Sequence, residues 1–233
     1  MTQPGKSTRP RGGIGMRWLV LTVLATPLLI FVAVMGTRFG LWPVETGREL
    51  LTLQIGRWLA LAGLAAAVLA VVLALRDRRR LGLIAGVGLL VSLATVGLFV
   101  RQQAQLTAPA PLDATTDPVD APGFSVETAG LRVALRSPDA PSACPALAAV
   151  PTQVASETAT AALEAAGFTV RKAGLFQSEG LHEGFWFGLR HDAVVRIRPG
   201  RTDVRVTARD GRPQGDAACR LARTIVDGLQ AGR

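Results

Sequence analysis

The sequence predicts a chain in two parts: three hydrophobic helices, then a small α+β domain in which two helices cover one face of an antiparallel meander sheet. Three observations carry that prediction. Residues 18–35, 58–75 and 81–100 are apolar runs close to the roughly 20 residues that cross a hydrocarbon core. Residues 107–122, TAPAPLDATTDPVDAP, break the pattern with Pro, Ala and Asp. Beyond them, alternation with a period of two lies between two stretches of helical character. The organisation expected is a basic tail over 1–17, helices within 18–100, a Pro- and Asp-rich linker over 101–122, and the α+β domain over 123–233.

The apolar runs come first in chain order. None contains an internal charge. Pro27 falls inside the first, where a membrane helix tolerates it with a kink. Trp18, Trp42 and Trp58 lie near the expected interfaces, where amphipathic rings are favoured. The first run is read as a retained span rather than a cleaved signal, because it exceeds a signal's apolar region and Val34-Met35-Gly36 is a poor cleavage match. Between the first two runs, Leu50, Leu51, Leu53, Ile55 and Trp58 fit either a short interfacial helix or a lead-in to the second span. No Asp, Glu or His falls within a run, which argues against an ion or proton pathway. The spans read as an anchor or as a packing surface, with Gly82, Gly86 and Gly88 small enough for another helix to come close.

Charge separates by region. The formal net charge is +9, yet residues 1–101 hold 12 Lys and Arg against 3 Asp and Glu, residues 102–122 hold three Asp and no base, and residues 123–233 hold 14 basic against 11 acidic groups. The excess flanks the apolar runs, where it sets topology rather than gripping nucleic acid. The tail carries Lys6, Arg9, Arg11 and Arg17, and the loop after the second run carries Arg76, Arg78, Arg79 and Arg80. Both are expected on the cytoplasmic side, which puts residues 36–57 and the C-terminal domain across the membrane. The location expected is the bacterial inner membrane, with the domain periplasmic or extracellular. The expected partners are the lipid bilayer and another membrane or envelope protein, or an anionic envelope ligand.

In the domain, residues 152–166 hold strong helix formers ahead of Gly167, a stop signal. Four strands are expected over 168–172, 185–190, 193–198 and 202–209. His191-Asp192 and Pro199-Gly200-Arg201 read as hairpin turns. A last helix over 216–229 places Ala218, Leu221, Ala222, Ile225 and Leu229 on one stripe. The sheet face away from the helices then presents Trp186, Arg190, Arg196, Arg198, Arg205 and Arg209.

That face supplies the candidate binding residues Trp186, Arg190, Asp192, Arg196, Arg198, Asp203, Arg205 and Arg209. One reading is a grip on an anionic headgroup, an acidic glycan or a partner's carboxylates. The other is that Asp192, Asp203 and Asp210 pair with the arginines and the face is structural. Cys144 and Cys219 are the only cysteines; outside the cytoplasm they can bond, and otherwise they are two buried thiols. His182 and His191 with Glu183 and Asp192 fit no zinc spacing. No nucleophile elbow, P-loop, Rossmann fingerprint or HExxH occurs, so no catalytic residue, metal or cofactor is expected. The leading function is a binding or structural module of the cell envelope; the alternative is a membrane-anchored enzyme acting on an envelope substrate.

Residues 187–198, FGLRHDAVVRIR, resemble the FGF-x-DDVVVRVR core of the DUF1499 family. Asp203-Val204-Arg205 with Arg209-Asp210-Gly211-Arg212 is similar to its DVRS-x-SR-x-G segment, and residues 215–221 resemble its G-x-N-x-x-RI helix start. Residues 112–117, LDATTD, with Ala121-Pro122-Gly123-Phe124 resemble the segment after the third helix in membrane-bound members. The departures are His191 for the first Asp of the pair, Val206 and Ala208 for two serines, and Ala217 for the Asn. The resemblance implies the three-helix anchor with its α+β domain and implies no reaction.

Overall fold

The structure, a computed structural model, describes residues 12–75, 78–107, 111–130, 142–212 and 214–232. Most of the basic tail and the Arg76-Asp77 start of the basic loop lie outside the described residues. Contacts divide the chain into Met1–Gln102 and Gln103–Arg233.

In the first unit, α1 spans Gly12–Arg38 with Pro27 inside it, α2 spans Arg57–Ala74 and α3 spans Arg78–Thr107. Three helical stretches are long and apolar enough to cross a membrane: Trp18–Arg38, Glu45–Ala74 and Gly82–Gln105. Their large apolar side chains point outward, Leu28, Val72 and Leu90 among them.

The region expected as an outer loop is mostly helix. Glu45–Gly56 winds as a wide π-type helix and runs directly into α2, with Arg48 only 6% exposed. Missing side chains explain the packing. A Cβ on Gly47 would fall 1.8 Å from Thr37 Oγ1, and one on Gly36 would fall 2.0 Å from the Trp42 ring. Trp42 Nε1 donates to the Ala33 carbonyl at 3.2 Å, which pins the connection back on α1. Ser92 Oγ donates to the Gly63 carbonyl at 3.3 Å and links α3 to α2. Apart from the backbone of their own helix and their chain neighbours, no described atom lies within 4 Å of a Cβ built on Gly82, Gly86 or Gly88. An apolar cavity of about 270 Å³ lies among the three helices, lined by Val20, Val23, Ala67, Ala70, Ala85 and Gly88.

The second unit is α+β. Its elements are β1 (Asp113–Thr115), α4 (Val126–Gly130), β2 (Ser142–Ala143), α5 (Ser156–Ala165), β3 (Thr169–Ala173), β4 (Gln177–Glu183), β5 (Arg190–Arg198), β6 (Arg201–Ala208) and α6 (Ala217–Ala231). The sheet order is β2-β1-β6-β5-β4-β3. Strands β3 to β6 form the antiparallel meander, β1 adds antiparallel to β6, and β2 lies parallel to β1. Ala193, Val195 and Ile197 of β5 and Val204 and Val206 of β6 pack against Leu163, Ala222, Ile225 and Leu229 of α5 and α6. Burial of each Val, Leu or Ile among them stabilises by about 1.5–3 kcal/mol. Helices α5 and α6 meet at Gly228, where a Cβ would sit 3.2 Å from that of Ala162.

Three expectations are corrected. Residues 185–189 are a turn, not a strand. Phe187 and Gly188 adopt left-handed backbone with φ of 57° and 61°, which no strand accommodates. The strand is instead Gln177–Glu183, hidden because Glu179 is a buried carboxylate and Gly180 gives up its side chain to Phe168. His191 and Asp192 are not a turn: they lie in β5 opposite Ala208 and Thr207, 3% and 1% exposed. The stretch 101–122, expected as a Pro- and Asp-rich linker, includes the end of α3 and strand β1. Composition hides β1 because it is three residues long and its partner strand lies about ninety residues on.

Candidate functional site

Alternation along β5 and β6 turns Asp192, Val194, Arg196 and Arg198 to the face away from the helices, along with Asp203, Arg205 and Thr207. That face is covered rather than open. Residues 116–128 cross it and supply carboxylates, backbone carbonyls and hydroxyls to its side chains.

At one end, Asp203 is fully buried and receives three arginines. Arg196 Nη2 lies 3.2 Å from its Oδ2, Arg198 Nη2 also meets Oδ2, and Arg201 Nε donates to Oδ1 at 2.7 Å. The same three reach across to the covering segment. Arg196 Nη2 donates to the Asp120 carbonyl at 2.6 Å, Arg198 Nη1 donates to Asp120 Oδ2 at 2.8 Å, and Arg201 Nη2 lies 3.1 Å from Asp117 Oδ2. The Asp117 carboxyl is held below its ordinary range, first by the backbone N–H of Asp120 and then by Arg201 and Arg198. Burial acts to lower the Arg198 guanidinium, and the Asp203 and Asp117 carboxylates outweigh it and raise it.

Two further pairs lie alongside. Arg205 forks onto Asp113, donates to the Pro122 carbonyl at 2.9 Å, and stacks over Phe124 with 5.4 Å to the ring centroid. Arg209 forks onto Asp192, and the hydrogen bond to Asp192 holds the guanidinium above its usual range. Glu179 completes the face. Burial pushes its carboxyl up, but Thr128, the Ser125 N–H and hydroxyl, and Gln177 all donate to it and hold it below the ordinary range.

The candidate residues therefore divide. Arg196, Arg198, Asp203 and Arg205 share the covered face with Arg201. Asp192 and Arg209 form a separate buried pair. Arg190 lies at the edge, 47% exposed and 3.5 Å from Asp210. Trp186 sits on the β4–β5 turn, 61% exposed, edge-on to Phe185. Five arginines, at 196, 198, 201, 205 and 209, meet five aspartates, at 113, 117, 120, 192 and 203. The sequence reading missed Asp113, Asp117 and Asp120 as partners, although the net −3 of residues 102–122 matches the +3 of residues 123–233.

The remaining features lie on the helix side. The sulfurs of Cys144 and Cys219 are bonded, with Cα atoms 5.7 Å apart, and tie the segment after β2 to α6. His182 and His191 stand opposite each other on β4 and β5 rather than in turns. His182 Nδ1 lies 3.0 Å from the Gly167 carbonyl. His191 has no hydrogen-bond partner on either ring nitrogen, and burial pushes it down to about 4, helped by His182 and Arg220 against Asp210. Among the described residues no three His, Cys, Asp or Glu side chains gather as a metal site. Comparison of the chain with protein-family models, with curated proteins and with solved structures finds no match.

Proposed function

We propose that this chain is a multi-pass protein of the bacterial inner membrane whose C-terminal α+β domain works outside the cytoplasm as a structural or binding module. Three stretches of membrane length support the anchor. The crowding of Lys and Arg before the first and third helices supports an inward N-terminus. The Cys144–Cys219 bond supports an oxidising compartment for the domain. The likeness of residues 187–198 and 203–212 to the DUF1499 family belongs to the same proposal.

The observation that carries the functional reading is the balance of five arginines by five aspartates on the sheet face away from the helices. A grip for anions needs cations whose charge is not already met. Here the guanidinium groups lock residues 113–122 onto the sheet, so the face acts as a joint within the domain. Contacts with an envelope partner then fall on the domain's edges and turns. Alkaline phosphatase fused after Gly123 is expected to be active and a cytoplasmic reporter there silent; the reverse pattern overturns the orientation. Photocrosslinkers at exposed Phe176 and Val126 in native membranes are expected to capture an envelope protein, and crosslinks confined to this chain and lipid overturn the partner reading.

A further inference from the structure

We propose that the β4–β5 turn, residues 184–189, is a lipid-contacting foot of the α+β domain, with Phe185 and Trp186 seated in the headgroup layer. The inference rests on the membrane reading above. The turn is built to hold its two rings out: Phe185 is 72% exposed and Trp186 61%, 5.3 Å apart and edge to face. Phe187, at φ 57°, turns the other way and is 8% exposed, and the Gly184 N–H donates to the Leu189 carbonyl at 2.8 Å to close the loop. A backbone bent this way to present two aromatic rings to water has a cost that a lipid interface offsets, since Trp favours the boundary between headgroups and acyl chains.

Position in the fold names the occupant. The turn leaves the sheet where Glu183 faces Arg190 and His191 faces Ala208. At that same end the Ala208 N–H donates to the Leu112 carbonyl at 2.8 Å. Leu112 follows the last residue of α3 by five positions, a contour of at most roughly 18 Å. Gln105, which closes the apolar stretch Gly82–Gln105, lies 3.3 Å from a Cβ built on Gly215, in the loop that follows β6 at this end. The sheet end carrying Phe185 and Trp186 is thus the end from which the chain leads back to its third apolar helix. The other end carries Leu175 and Phe176 in the β3–β4 turn, also exposed, and serves as the control.

The test uses the full chain in phosphatidylethanolamine–phosphatidylglycerol vesicles. Because both native cysteines are bonded, single Cys variants at Trp186→Cys, Leu175→Cys and Leu90→Cys take an environment-sensitive maleimide dye without reductant. Nitroxide lipids labelled at the headgroup or near the chain end then act as quenchers. The expected result is strong loss of emission at 186 with the headgroup quencher, little at 175, and loss at 90 with the chain-end quencher. Equal quenching at 186 and 175, with 90 still quenched from the chain end, overturns the foot and leaves the anchor standing. No quenching at 90 overturns the membrane reading and the foot with it.

Discussion

Arg205 holds Asp113 through both carboxylate oxygens, with Nε at 2.8 Å and Nη2 at 2.6 Å, and so binds the last strand of the sheet to its first. Each side chain is 16% exposed. The pair therefore lies between a surface ion pair, worth under about 1 kcal/mol, and a buried one, whose breaking costs about 3–5 kcal/mol. Arg205→Lys removes the fork but keeps the charge, and Arg205→Met leaves Asp113 without its cation. We expect Arg205→Met to lower unfolding free energy by roughly 2–3 kcal/mol and Arg205→Lys by less, measured by denaturant titration of the full chain in detergent. Equal losses would mean that a positive charge without the fork contributes nothing.

The Asp192–Arg209 pair is more deeply buried, 1% and 10% exposed. Asp192→Asn strands a guanidinium and should cost about 3–5 kcal/mol. The double replacement Asp192→Leu with Arg209→Met should recover most of that loss, since an apolar pair of similar volume is often neutral. A double mutant as unstable as the single one would show that the pair makes further contacts the fold needs.

Acid should weaken the domain in two separate windows. His191 sits near 4 when folded, against 6.5 unfolded. The unfolded chain then binds the proton more readily, so stability falls as pH drops from 6.5 towards 4 and levels off below it. The total is on the order of 3 kcal/mol. Glu179 shifts the same way: burial pushes its carboxyl up, but Thr128, Ser125 and Gln177 hold it below its ordinary value of 4.5. Its contribution is full above 4.5 and is lost only as pH falls through its depressed folded value. His191→Leu should flatten the upper window and leave the lower one, which thermal melts across pH will read.

Reduction should also destabilise. The Cys144–Cys219 bond spans 75 residues, and on the chain-entropy account a loop of that length contributes about 4 kcal/mol. The denaturant midpoint should fall accordingly in Cys219→Ser, and reductant should have no further effect on that variant.

The helices of both units were legible because their signal is local. Apolar runs announce α1 to α3, and the stripe of Ala218, Leu221, Ala222, Ile225 and Leu229 announces α6. The period of two in residues 193–198 and 202–209 announces β5 and β6. What stayed hidden depends on distant partners. Glu179 looks like a surface residue until Ser125 and Thr128 are brought to it from some fifty positions away. Asp113, Asp117 and Asp120 look like linker charges until the sheet sets arginines against them. The aromatic alternation at 185–187 imitates a strand, and only the left-handed backbone at Phe187 and Gly188 reveals a turn.

The fork between Arg205 and Asp113 spans 92 positions in the chain. A ribosome adding roughly 5–20 residues each second delivers the second partner several seconds after the first. Through that interval β1 and the aspartates that follow it have no β6 to close upon. The domain therefore closes only after β6 is made, and a nascent chain stalled before Arg205 leaves an acidic strand unpaired for quality-control proteases to find.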